Sequence, residues 1–110
     1  VLYDAALDAK LDIVHVRHEG AAVHMADAWG RLTGGPGVAL LTGGPGHANG
    51  LGALFNALWA ESPLVMLSGH APLAQLGTDA YQELRQADAA APLCKASWTA
   101  GSAATGSCTA

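Results

Sequence analysis

A single carboxylate, a bare turn and an amide form the most suggestive set of groups in the chain. Glu19 stands where a helical pattern begins, directly after a short β-branched run. A carboxylate there can complement the helix dipole, or it can donate or accept a proton in a cleft. The helix terminus favours its ionised form, while apolar neighbours such as Ala21 and Ala22 favour the neutral acid. Gly44-Pro45-Gly46 follows a second apolar run and opens another helical pattern, and Asn49 lies three residues beyond it. Such a turn brings backbone N–H groups close to a ligand, and the amide can bond either the loop backbone or the ligand. It is no phosphate loop, because neither GxxxxGK[ST] nor GxGxxG occurs. His47 and His70 fall at the same edge and could touch a ligand. The five histidines make no metal cluster, since His18 and His24 are six apart rather than three or four. Cys94 and Cys108 lack sequence partners that would make them reactive or metal-binding, and no metal ligand is assigned.

Alternating elements must position these groups. Leu2, Ala5, Ala6 and Ala9 have helical spacing, and Ile13–Val16 reads as a strand buried on both faces. Glu19–Thr33 reads as a helix with Ala22, Met25, Ala26 and Trp29 on its apolar stripe. It is stopped by Gly34-Gly35-Pro36-Gly37. Val38–Leu41 is a strand, His47–Ala60 a helix with Leu51, Leu54, Phe55 and Leu58 on its stripe, and Leu64–Leu67 a third strand. A short helix is expected around Glu83–Ala90. The order predicts right-handed βαβ units in an α/β fold, a parallel sheet with helices on both faces. Two nearly identical glycine-rich loops then separate by topology. The loop at 34–37 enters a strand and lies at the amino edge, whereas that at 43–46 leaves one and lies at the carboxyl edge, where open sheets bind ligands.

The chain is 110 residues long, the size of one modest domain. Its 51% hydrophobic and 13% charged composition excludes disorder for most of the length. A net charge of −4 with no basic run argues against a nucleic-acid partner. No apolar stretch approaches the roughly 20 residues of a membrane span. No signal peptide is visible, so a cytoplasmic location is expected. The chain opens at Val1 inside a helical pattern, which suggests a piece of something larger, and residues 101–110 read as a small-residue flexible tail. Residues 1–100 are expected to form the domain proper.

Four segments carry a resemblance. Arg17-His18-Glu19-Gly20-Ala21-Ala22, then Ala26-Asp27-Ala28-Trp29-Gly30-Arg31-Leu32-Thr33-Gly34, then Thr42-Gly43-Gly44-Pro45-Gly46-His47-Ala48-Asn49, and finally Gly77-Thr78-Asp79-Ala80-Tyr81-Gln82-Glu83 stand in this order. Together they resemble the N-terminal pyrimidine-binding domain of thiamine-diphosphate enzymes, most closely the acetolactate synthases and their benzaldehyde lyase and 2-hydroxyacyl-CoA lyase relatives. The resemblance implies a C–C bond synthase or lyase acting on a 2-keto acid or related carbonyl. Glu19 would bond N1′ of the cofactor's aminopyrimidine and promote the tautomer that deprotonates the thiazolium C2. Gly44, Pro45, Gly46 and Asn49 would line the pyrimidine pocket, and Gln82, with His47 and His70, would face the substrate. His47 and His70 differ from the residues more usual in acetolactate synthases.

The resemblance also implies that the diphosphate and Mg²⁺ are held by a separate domain carrying GDG, a motif not found in this chain. The active site would then form between this domain and the diphosphate domain of the same or another subunit, in a homodimer or homotetramer. The resemblance allows FAD as a further cofactor. The family's opening strand and first glycine-rich turn are not in the chain, so the fold is expected to be incomplete at its N-terminus. A fragment alone would be inactive. From a different class, a non-catalytic α/β interaction module would retain the same fold.

Overall fold

A computed structural model describes residues 2–101 of the chain. Cys108 and nearly all of the small-residue tail lie outside the described residues. Helix α1 spans Leu2–Asp8 and α2 Glu19–Thr33, followed by strand β1 at Gly37–Leu41. Helix α3 spans Pro45–Trp59, strand β2 Leu64–Ser68 and the short helix α4 Gln86–Ala90. Single 3-10 turns occupy Leu73–Gln75 and Ala91–Leu93.

The boundaries follow from local chemistry. His18 caps α2, its Nδ1 accepting from the Gly20 N–H at 3.1 Å. Gly34 ends the helix at φ 73, with its N–H donating to the Gly30 carbonyl at 2.9 Å, a left-handed conformation that glycine adopts without steric cost. Pro45 occupies the first turn of α3, where its missing N–H has no intrahelical partner to lose.

β1 and β2 pair in parallel, from Gly37 opposite Leu64 to Leu41 opposite Ser68, with α3 as the crossover. The α/β class therefore holds, but two expectations change. Residues 11–16 form no strand, and Ile13 and Val14 are exposed. A β-branched run becomes a strand only when a neighbouring edge takes its N–H and C=O groups, and β1 is paired with β2 alone. The segment instead meets α1, where Tyr3 stacks on His15 with ring centroids 6.2 Å apart. In addition, α2 and α3 pack on the sheet face that carries Ala39 and Leu41. Val38, Leu40, Val65 and Leu67 on the alternate positions remain partly or largely exposed.

The core takes the smaller members of the helical stripes, Ala26 and Leu54, and leaves their largest ones outside. Val23, Ala26, Ala39, Leu41, Ala53, Leu54 and Ala90 form it, whereas Met25, Trp29, Phe55, Leu58 and Trp59 are exposed. The reason is close approach of helix to sheet. A Cβ on Gly37 would stand 2.6 Å from the Ala26 carbonyl carbon, and one on Gly30 would stand 2.9 Å from Ser62 Oγ. Backbones this near leave room only for glycine and alanine along the seam. The short helix expected from Glu83 starts at Gln86.

Asp27 is buried on this seam. It accepts from Arg31 Nε and Nη2 at 2.8 and 2.6 Å, and the Arg31 guanidinium holds its carboxyl below the ordinary carboxylate range. A depressed folded-state pKa adds stability above the unfolded value, and that increment disappears as pH falls through the folded value. Wild-type protein should therefore exceed Asp27→Asn in urea-unfolding midpoint at pH 7, and the gap should narrow below about pH 4. A gap of constant size down to pH 3 would show that the charge pair is not its source.

Candidate functional site

Three segments meet at the carboxyl edge of the two strands. They are the start of α2, the turn from β1 into α3, and the loop that follows β2. Glu19 is the first residue of α2, half-buried. Gly43 and Gly44 lead into α3, with Gly44 in the left-handed region at φ 55. Gly43 packs so closely on the loop after β2 that a Cβ would stand 3.1 Å from the Gly69 carbonyl carbon and 3.2 Å from His70 Cα.

Glu19 and Asn49 come together. Asn49 Nδ2 donates to Glu19 Oε2 at 3.0 Å across 30 residues of sequence. This hydrogen bond, then the Glu19 backbone N–H, lowers the carboxyl pKa, with His18 adding a smaller electrostatic effect. The balance between ionised and neutral forms is thus decided for the carboxylate, chiefly by the amide on α3. The other oxygen, Oε1, lies over the turn, 3.2 Å from where a Gly46 Cβ would stand. A carboxylate with one oxygen anchored and the other beside bare backbone suits an N–H donor on a flat heterocycle.

Gln82 lies against the same turn. It has φ 60, and a Cβ on Gly44 would fall 2.9 Å from its own Cβ. Its side chain is exposed, with only a 3.5 Å contact to the Tyr81 hydroxyl. Gly44, Pro45, Ala48, Gln82, Glu83 and Leu84 line an open cleft of about 250 Å³. Closed ligand pockets usually enclose about 300–1,000 Å³, and this cleft is smaller and open. Glu83 holds the loop in shape. Its carboxylate accepts from the Gly77 and Ala80 N–H groups at 2.5 and 3.1 Å, and these bonds lower its pKa, that to Gly77 most.

The two histidines part company. His47 does not face the edge: it is 5% exposed, and its Nδ1 shares a 2.8 Å hydrogen bond with Ser68 Oγ at the end of β2. Burial lowers its pKa, partly offset by the Gln86 backbone nearby. As the second helical residue after Pro45, it points under the turn onto the sheet. His70 is exposed, with its Nδ1 close to the Ala71 carbonyl. Cys94 is half-buried and its thiol donates to the Ala90 carbonyl at 3.2 Å. Among the described residues, no group of three or more His, Cys, Asp or Glu is placed to hold a metal ion, and no helix is long and apolar enough to cross a membrane.

One residue that sequence reasoning missed is central to this edge. Gln86 is 9% exposed. Its Oε1 accepts from the Gly44 N–H at 2.8 Å and its Nε2 donates to the Gly69 carbonyl at 2.9 Å. A glutamine among the polar residues Gln82, Glu83, Arg85 and Asp88 gives no sequence signal for such a bridge.

Comparison with known proteins gives the family. Residues 1–90 match the family model described as thiamine pyrophosphate enzyme, N-terminal TPP binding domain. The chain is 38% identical over 102 residues to a probable acetolactate synthase of Mycobacterium bovis, covering 93% of the chain and 19% of that protein. It is 44% identical over 98 residues to the acetolactate synthase isozyme 3 large subunit of Escherichia coli, covering 88% of the chain and 17% of that protein. It is likewise 44% identical over 91 residues to 2-hydroxyacyl-CoA lyase 2 of Xenopus laevis, covering 83% and 14%. The chain thus spans less than a fifth of the length of these relatives.

Proposed function

Because the chain belongs to the family of thiamine pyrophosphate enzyme N-terminal TPP binding domains, we propose that it forms the pyrimidine-binding part of a larger thiamine-diphosphate-dependent C–C bond synthase or lyase. The proposed substrates are 2-keto acids, and the proposed activity is most like that of an acetolactate synthase large subunit. The observation that carries this reading is the ionised Glu19 carboxylate, anchored by Asn49 beside the Gly46 turn.

Glu19 would face ring N1′ with Oε1, the oxygen Asn49 does not hold, and accept the N–H of the N1′-protonated ring. Its lowered pKa would leave that proton on N1′ and stabilise the protonated ring. The backbone of Gly44, Pro45 and Gly46 would bound the ring, and Asn49 would fix the carboxylate's direction. Gln82 and His70, both exposed at the edge, would flank the substrate, with His47 supporting the turn from below. Thiamine diphosphate, when bound, supplies the electron sink for the carbanion left by C–C cleavage. The same proposal assigns the diphosphate and Mg²⁺ to a separate domain, the working state to a homodimer or homotetramer, and the location to the cytoplasm. The open cleft supports a site completed by a second surface.

A second reading, 2-hydroxyacyl-CoA lyase, is favoured by the 44% and 47% identities to such proteins of Xenopus laevis and Danio rerio. The full-length protein, given thiamine diphosphate and magnesium, should convert pyruvate to acetolactate. Cleavage of a 2-hydroxyacyl-CoA with no acetolactate formed would favour the second reading. Failure of the full-length protein to bind thiamine diphosphate would overturn both and leave an interaction module.

A further inference from the structure

We infer that Gln86 is a positioning residue for the cofactor pocket, holding the Gly44–Gly46 turn at its working height above the sheet. The inference rests on the reading of this edge as the pyrimidine site. Its basis is a pair of hydrogen bonds made by one amide, that to Gly44 buried and that to Gly69 partly buried. Gln86 Oε1 accepts from the Gly44 N–H at 2.8 Å and Nε2 donates to the Gly69 carbonyl at 2.9 Å, across 42 and 17 residues of sequence.

Each partner is a backbone group in a loop that leaves the carboxyl end of a strand. Gly44 is the cap of α3, at φ 55 and ψ −113, and its side carries no capping hydrogen bond to the helix. A turn of glycines in this conformation has little stiffness of its own. Its orientation must come from contacts, among them the Gln86 amide and Gln82, which stands where a Gly44 Cβ would project. Gln86 also ties that turn to the loop after β2, so the two walls of the edge move together. The Gly44 N–H belongs to a buried residue, and a buried N–H left without an acceptor costs more than the hydrogen bond is worth net. Loss of the amide therefore lets the turn shift until Gly44 finds water, which moves Gly46 and the start of α3 away from Glu19.

Two variants of the full-length protein separate this role from plain stabilisation. Gln86→Met keeps the length and removes both hydrogen bonds. Gln86→Glu is a titratable replica. Its neutral acid can accept from the Gly44 N–H and donate its O–H to the Gly69 carbonyl, whereas its carboxylate repels that carbonyl. Without cofactor, amide hydrogen exchange at Gly44 should speed at least about tenfold in Gln86→Met relative to wild type, while β1 and β2 keep their protection. Thiamine diphosphate affinity of the folded Met variant, titrated with magnesium present, should fall about tenfold. For Gln86→Glu, the ratio of its affinity to that of wild type should approach one at pH 5.5 and drop as pH rises. Taking the ratio cancels titration of the native groups near this edge, His47, Glu19 and Glu83 among them.

A residue that only stabilised the fold would lower the unfolding temperature and leave the affinity ratio flat with pH. That flat ratio, or unchanged Gly44 exchange in the Met variant, would overturn the inference. Wild-type protein that binds no thiamine diphosphate would instead overturn the reading of the site, and the exchange measurement would still report on the bridge.

Discussion

In the full-length protein, Glu19→Gln should slow hydrogen–deuterium exchange at the cofactor C2 by about 10²–10⁴, the usual loss on removing one proton-transfer group. The substitution is close to isosteric, and the Gln carbonyl can still accept from Asn49 Nδ2, which now reaches Glu19 Oε2 at 3.0 Å. The side chain therefore keeps its place at the start of α2 while losing its charge. Thermal unfolding should change little, because Glu19 is half-buried and its hydrogen bond with Asn49 is retained. Exchange at the wild-type rate in folded, cofactor-loaded protein would remove Glu19 from the activating role.

Gly37→Ala and Gly46→Ala should fail in different ways, although the two loops that carry them read almost identically. At Gly37 the new Cβ would stand 2.6 and 2.8 Å from the Ala26 carbonyl carbon and Cα. Backbone cannot swing aside as a side chain can, so α2 must lift from β1, at a cost of about 1–3 kcal/mol or more. At Gly46 the neighbours are the ends of Thr42 and Glu19 side chains, with Glu19 Oε1 at 3.2 Å and Cγ at 3.4 Å. These can yield, but by moving the carboxylate that the proposed function requires. Gly37→Ala should thus show the larger fall in unfolding midpoint with normal cofactor affinity in the folded fraction. Gly46→Ala should show the smaller fall with weakened affinity. Equal loss of affinity in the two variants, measured on folded protein, would contradict the assignment of the site to the 43–46 loop.

The βαβ order and the placement of the two glycine-rich loops at opposite edges were legible from residue pattern alone. Hydrophobic period and Gly-Pro punctuation depend on neighbours within a turn or two, so Glu19–Thr33, the strand ending at Leu41 and the strand beginning at Leu64 appear where expected. The candidate set of Glu19, Gly44, Pro45, Gly46 and Asn49 was equally legible, because topology sends the start of one helix and the turn before the next to the same edge. The run Ile13–Val16 misled for a physical reason: local propensity marks a segment able to be a strand, and only a free edge beside it makes it one. The stripes of α2 and α3 held for Ala26 and Leu54 and misled for their largest members. Period locates a face, but the distance between backbones decides whether large or small side chains fit there, and Gly37 and Gly30 bring α2 too near for Trp29.

What the sequence determined by itself was the class, the edge and the short list of groups. What only the tertiary structure decided was how those groups act on one another. The Glu19 carboxyl pKa is lowered chiefly by a hydrogen bond from Asn49, thirty residues away in sequence. His47, expected at the ligand edge, turns under it to Ser68. Gln86, without a motif to mark it, joins the loops of both strands. Protonation, ring direction and bridging depend on distances of about 3 Å between segments far apart in the chain, and no local pattern encodes such distances.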